Sequence, residues 1–184
     1  VTVYVDDGNV ASNTTLTDLA AGIKVQLSSY TATALDVDLV NKTATDNALS
    51  LRLNATTGTS DIDIADVETL NLNVQETASV NFDGLSMTLA AKTSSLVVTG
   101  DSALTLTALH ADVTTIDSSA STGSIVMSAR STTGAVDYTG GAGADTFIFM
   151  NKSDVIDSGA GADTLDMNYA AILGGLAIDL SSTT

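Results

Sequence analysis

The stretch from Gly140 to Asp166, GGAGADTFIFMNKSDVIDSGAGADTLD, constrains the fold more than any other part of the chain. Its first nine residues, Gly140 to Ile148, set glycines, an aspartate and a large apolar residue at fixed intervals. Eighteen residues later the order returns as SGAGADTLD, Ser158 to Asp166, with Ser158 in place of the first glycine. Between them, Phe149 to Asp157 keeps the nine-residue phase without the glycines: Asp154 falls on the aspartate position and Ile156 on the apolar one. Three units in one phase describe a backbone that makes the same turn repeatedly.

At every fixed position Gly140 to Ile148 fits the nonapeptide G-G-x-G-x-D-x-U-x, U being large and apolar, and so resembles the calcium-binding repeat of secreted RTX proteins. The resemblance implies a roll in which each coil uses two turns and two short strands. Residues eighteen apart then stack on one edge, as Asp145 and Asp163 do. The chemistry agrees. Glycine permits tight turns that aim carbonyl oxygens inward, and Ca²⁺ takes six to eight hard oxygen ligands in a forgiving geometry. The expected site is Asp145 and Asp163 flanking one ion, with carbonyls of Gly141, Gly143, Gly159 and Gly161. On the opposite edge Asp154 is a poorer ligand, because its neighbours in phase, Val136 and Ile172, offer no side-chain oxygen.

Composition narrows the partners. Twenty-two acids against six bases give a formal charge of −16, which disfavours nucleic acid and anionic membrane surfaces. Calcium, or a saline medium, relieves that self-repulsion. Cysteine is absent, so there is no disulfide framework. No uninterrupted apolar run reaches the ~18 residues a membrane span needs. The chain opens on Val1 with no leader, the expected form of a processed or excised part of something longer. Aromatics make up 4% of the residues, which suits a narrow layered interior of small aliphatics rather than a core built on rings.

Period-two alternation runs nearly throughout. VTVYV (Val1 to Val5), IKVQL (Ile23 to Leu27), ALDVDLV (Ala34 to Val40) and ALSLRL (Ala48 to Leu53) read as strands, while DLAAGI (Asp18 to Ile23) reads as a helical turn. From Asp61 onward strands follow every eight to twelve residues: VETLNLNV, ASVNF, SMTLAA, SLVVTG, ALTLTA, VTTIDS, SIVMSA and AVDYTG. Asp46-Asn-Ala-Leu-Ser-Leu and Val67-Glu-Thr-Leu-Asn return as Asp101-Ser-Ala-Leu-Thr-Leu and Val113-Thr-Thr-Ile-Asp, an internal repeat. The fold expected is all-β, a parallel β-helix or β-roll (β-solenoid). Residues 1–60 form an N-terminal β-module, with a β-sandwich as one option, or an irregular start. Residues 61–184 form the solenoid with the calcium-binding units at 140–166. At ~20 residues per coil and ~4.8 Å between strands, about nine coils make a rod of roughly 40 Å.

The order "V-x-T-I-D-x-S" from Val113, then Thr122-Gly123, then Gly140 to Asp145 resembles bacterial surface-layer proteins of the RTX type, similar to those of Caulobacter and Campylobacter. That resemblance covers roughly residues 46 to 166; the chain departs from the pattern in having few calcium units, one of them degenerate. It implies type I secretion, calcium-dependent folding outside the cell, and self-assembly into a surface lattice, with cell-surface polysaccharide as a further partner. The alternatives are an accessory RTX module of a secreted enzyme and a segment of a large calcium-dependent adhesin. No enzyme activity is expected. Gly100-Asp101-Ser102-Ala103-Leu104 resembles the nucleophile motif of GDSL hydrolases, but Ala103 interrupts it. The one histidine, His110, has no aspartate three residues before it, so Ser102 gains no positioned base. The acid pairs Asp36/Asp38 and Asp61/Asp63 read as solvated strand faces.

Overall fold

The computed structural model describes residues 1–6, 14–28, 34–40, 46–54, 58–64, 67–75, 80–82, 94–106, 112–127 and 134–167. Its strands in the first half are β1 (Thr2–Asp6), β2 (Thr14–Leu19), β3 (Lys24–Ser28), β4 (Ala34–Leu39), β5 (Ala48–Asn54), β6 (Gly58–Ile64), β7 (Thr69–Val74) and β8 (Val80–Phe82). The second half adds β9 (Ser94–Gly100), β10 (Leu104–Leu106), β11 (Val113–Ser121), β12 (Ile125–Met127), β13 (Asp137–Thr139), β14 (Thr146–Phe149), β15 (Val155–Asp157) and β16 (Thr164–Met167).

All pairings are parallel, and the strands sort by parity. The odd-numbered strands form one eight-stranded sheet in chain order and the even-numbered strands form the other. Each coil therefore lays one strand on each sheet and moves up one step, the β-solenoid the alternation predicts. Eight strands at ~4.8 Å span roughly 34 Å, a little shorter than the rod expected from nine coils. The strands of residues 1–60 join the same two sheets as those that follow.

Alternation builds the core. In β7 the inward residues Leu70, Leu72 and Val74 are buried and Thr69, Asn71 and Asn73 are not. The same inward rows hold Val25 and Leu27, Leu49, Leu51 and Leu53, Leu96 and Val98. Branched aliphatics stack on their own kind along the axis, so the interior stays narrow, and each fully buried side chain contributes ~1.5–3 kcal/mol. Toward the end the filling changes to rings. Tyr138 of β13 and Phe147 of β14 face each other across the two sheets with centroids 3.9 Å apart and planes tilted by 59°.

Coil length varies from coil to coil upstream and settles at eighteen residues only at the end of the rod. On the odd sheet Lys24 pairs with Ser50 (50 − 24 = 26) and Leu70 with Leu96 (96 − 70 = 26). Later, Ile116 pairs with Tyr138 (138 − 116 = 22) and Tyr138 with Ile156 (156 − 138 = 18). The eighteen-residue coil predicted from the glycine units thus holds where they occur: Thr146 to Met167 pairs at that offset throughout. Upstream, the corners absorb the extra residues.

Two expectations are corrected. DLAAGI forms no helical turn: Asp18 and Leu19 end β2, and the chain turns through Ala21 and Gly22. Asp18 has φ 57° and Gly22 φ 77°, left-handed values that break a helix as well as a strand. The internal repeat is only half structural. Val67-Glu-Thr-Leu-Asn and Val113-Thr-Thr-Ile-Asp lead into the same sheet, but Asp46-Asn-Ala-Leu-Ser-Leu enters β5 and Asp101-Ser-Ala-Leu-Thr-Leu enters β10, on opposite sheets. What they share is a turn: Asn47 and Ser102 are both buried polar residues at a corner. The expected strand SMTLAA lies outside the described residues.

Candidate metal centre

The two glycine units make the same corner of successive coils. Gly140 to Asp145 joins β13 to β14, and Ser158 to Asp163 joins β15 to β16. The corner before them, Ser121 to Ser124, joins β11 to β12 and extends the stack by one layer. One backbone ladder ties the layers. Thr122 N–H donates to the Gly100 carbonyl at 2.8 Å, Ala142 N–H to Ser121 at 2.9 Å and Ala160 N–H to Gly141 at 2.8 Å.

Glycine is required here for two different reasons. Gly159 (φ 77°) and Gly161 (φ 134°) occupy the left-handed region, as the turn chemistry predicts. Gly141 and Gly143 do not. Theirs is a problem of space: a Cβ on Gly141 would run into the Ser121 carbonyl and one on Gly143 into that of Gly123. A Cβ on Gly140 would strike the Ser158 carbonyl and approach Asp145 Oδ2 to 3.1 Å. On Gly161 it would strike the Gly143 carbonyl and come within 3.3 Å of Asp163 Oδ1. Each aspartate therefore lies against its own glycine turn, where carbonyls of adjacent coils crowd together.

Asp145 is buried, with 1% of its surface exposed. Its Oδ1 accepts the Ile125 N–H at 2.7 Å and its Oδ2 the Gly141 N–H at 3.2 Å. Asp163 Oδ1 accepts the N–H of Asp145 at 2.9 Å. Burial holds the Asp145 carboxyl above its ordinary range; the two N–H donors oppose the shift and the charge of Asp163 adds to it. Asp154 does the same work on the other sheet. Its Oδ1 accepts the Val136 N–H at 2.9 Å, and its Oδ2 accepts those of Met150 and Asn151 at 3.1 and 3.0 Å. Ile172, the other residue expected beside Asp154, lies outside the described residues.

The predicted residues are thus brought together as one corner (Asp145, Asp163, Gly141, Gly143, Gly159, Gly161), with Asp154 on the opposite one. Sequence reasoning missed the backbone donors. Each aspartate accepts an N–H from the coil before its own, and that coil is 145 − 125 = 20 residues back for Asp145 but 18 for Asp154 and Asp163. It also missed the third layer, whose only signal was Thr122-Gly123. The D-x-S of Val113 to Ser119 gains a physical account: Asp117 Oδ1 accepts both the N–H (3.0 Å) and the hydroxyl (2.7 Å) of Ser119. Those bonds hold its carboxyl below the ordinary range, where β11 slips register against β9. Next to it Ser118 is buried, shares a hydrogen bond of 2.9 Å with the Tyr138 hydroxyl and donates one to the Thr139 carbonyl.

The donor set suits a hard cation. Among the described residues no three Asp, Glu or His side chains converge on one point, so an ion here would draw on two carboxylates and on backbone carbonyls. Carbonyls are ordinary Ca²⁺ ligands, and each keeps a lone pair when its other accepts an N–H. No protein-family model, no curated protein and no solved structure matches the chain.

Proposed function

We propose that this chain is a structural component of a bacterial cell-surface coat of the RTX surface-layer kind, exported by a type I system and assembling with copies of itself in the presence of calcium. The observation that carries this reading is the corner stack. Asp145 and Asp163 sit one coil apart beside close-packed glycine carbonyls, and Asp145 is buried next to a second negative charge. Ca²⁺ would be held by the two carboxylates and by carbonyls of Gly141, Gly143, Gly159 and Gly161, supplying the positive charge that the corner's own residues do not. Because such an ion binds the folded coil, its binding free energy becomes folding free energy. Extracellular modules bind at ~10⁻⁴–10⁻³ M, so calcium outside a cell stabilises the coil further and the low level inside does not.

A self-assembling role also fits the charge. A rod at −16 repels its copies until cations neutralise or bridge them. No helix among the described residues is long and apolar enough to cross a membrane. Ser102 is buried at a corner and donates to Asp101 Oδ1 at 3.3 Å, the setting of a turn residue; we assign the chain no hydrolytic activity. His110 lies outside the described residues.

Hydrogen exchange across Gly140–Asp166, in chelator and in millimolar calcium, tests the calcium reading, and sedimentation over the same range tests assembly. The expected result is calcium-induced protection of that stretch, lost in Asp163→Ala and kept in Asp61→Ala, with a larger species in calcium. Equal protection with and without calcium refutes the first part, and a monomer at every calcium concentration refutes the second.

A further inference from the structure

At the opposite end of the rod the outer face of the odd sheet carries a groove of about 460 Å³ across β1, β3, β5, β7 and β9. Its floor is one in-register ladder, Tyr4, Gln26, Arg52, Asn73 and Thr99, each paired with the next. Lys24 lies beside the ladder, on the neighbouring row. Tyr4 is 70% exposed.

Three features define what fits. The first is charge: of the three Lys and Arg side chains among the described residues, Lys24, Arg52 and Lys152, two line this groove, and no carboxylate does. On a chain of −16 that is a local reversal of sign. The second is polarity. The aliphatic residues at the groove, Val25, Leu51 and Leu72, point into the core, so the lining offers amides, hydroxyls and a guanidinium but no pocket for an apolar side chain. The third is periodicity, because an extended polymer lying along the rod meets one ladder residue every ~4.8 Å. Arg52 is held by the 2.9 Å bond from its Nη2 to Gln75 Oε1, and Asn73 Nδ2 donates to Thr99 Oγ1 at 2.9 Å, so these groups are already positioned.

We propose that this groove binds a carboxylated polysaccharide strand, with Arg52 and Lys24 taking the carboxylates, the amides bonding ring hydroxyls, and the Tyr4 ring covering the apolar C–H face of a sugar. A peptide strand is disfavoured, because it would find nowhere to bury side chains. The inference rests on the groove alone and stands apart from the calcium reading.

The test is affinity electrophoresis of the full chain through gels containing polygalacturonate, dextran or polyglutamate, without divalent cations so that no ion bridges two acidic chains. Polygalacturonate should retard the protein, and Arg52→Gln and Tyr4→Ala should each weaken retardation at least tenfold. Lys152→Gln, a cation removed elsewhere on the surface, should leave it unchanged. All these side chains are exposed, and circular dichroism confirms that the variants keep their strands. No retardation by polygalacturonate overturns the proposal. So does equal retardation by dextran or polyglutamate, or an equal effect of Arg52→Gln and Lys152→Gln.

Discussion

Asp163 Oδ1 accepts the backbone N–H of Asp145 from 2.9 Å, so each of two carboxylates eighteen residues apart anchors the coil before it while sharing one corner. The same group that would ligate calcium also replaces a missing backbone acceptor. These two roles separate by substitution.

Asp163→Ala leaves a partly buried N–H without its acceptor, at a cost of ~1–3 kcal/mol. Asp163→Asn keeps an acceptor oxygen and removes only the charge. In chelator, hydrogen exchange of β14 and β16 should speed up in the alanine variant and change little in the asparagine variant. In calcium both should lose the ion's contribution, ~1.4 kcal/mol at a tenfold excess over Kd. Equal loss by both variants in chelator would remove the anchoring role.

The eighteen-residue coil could be read from Gly140–Asp166 because two whole units fit one phase, and the inward rows could be read from alternation alone. The register of the other coils could not. Offsets of 19 to 27 residues arise from corners whose residues leave no periodic trace, so Tyr4, Gln26, Arg52 and Asn73 give no sign in sequence that they form one row. For the same reason the similar motifs at Asp46 and Asp101 gave no sign of lying on opposite sheets. Side-chain chemistry pointed to Asp145 as an ion ligand, whereas its N–H partner at Ile125 depends on the backbone path and has no residue code.

Across the sheets, Phe147 is 1% exposed and its ring packs against that of Tyr138 between β13 and β14. Phe147→Ala should cost ~3–5 kcal/mol. Tyr138→Phe keeps the ring and removes only the bond to Ser118, at about 1 kcal/mol. Thermal unfolding should rank the two in that order; a Tyr138→Phe variant as unstable as Phe147→Ala would show that the hydroxyl, not the ring, closes this end.

Acid should act on two aspartates with opposite sign. The Asp145 pKa is raised in the fold, so in chelator the folded coil binds more protons than the unfolded one above the ordinary Asp value of ~3.9. Its contribution is favourable at low pH and is lost as pH rises through the raised value. The Asp117 pKa is lowered, so its contribution is present above ~3.9 and is lost as pH falls through the depressed value. In chelator, Asp145→Asn should flatten the decline in protection of Gly140–Asp166 between acid and neutral pH. Asp117→Asn should leave that decline in place. A wild-type coil whose protection rises from acid to neutral pH in chelator, with Asp145→Asn removing the rise, would contradict the sign given to Asp145.

Two left-handed glycines separate backbone strain from crowding. Gly22 (φ 77°) has no atom of the described residues within 4 Å of where a Cβ would sit, whereas at Gly161 (φ 134°) that atom would run into the Gly143 carbonyl and press on Asp163 Oδ1. Gly22→Ala should cost only the conformational term, ~1–2 kcal/mol. Gly161→Ala adds a clash with backbone from the coil below, which has no rotamer to yield; the corner must open, and the carboxylate beside it moves as well. Gly161→Ala should therefore cost more in thermal unfolding and should also abolish calcium-induced protection of β14 and β16, while Gly22→Ala leaves that protection intact. If Gly161→Ala were destabilised no more than Gly22→Ala and still responded to calcium, the close stacking of the Gly143 and Gly161 corners would not be what holds the site.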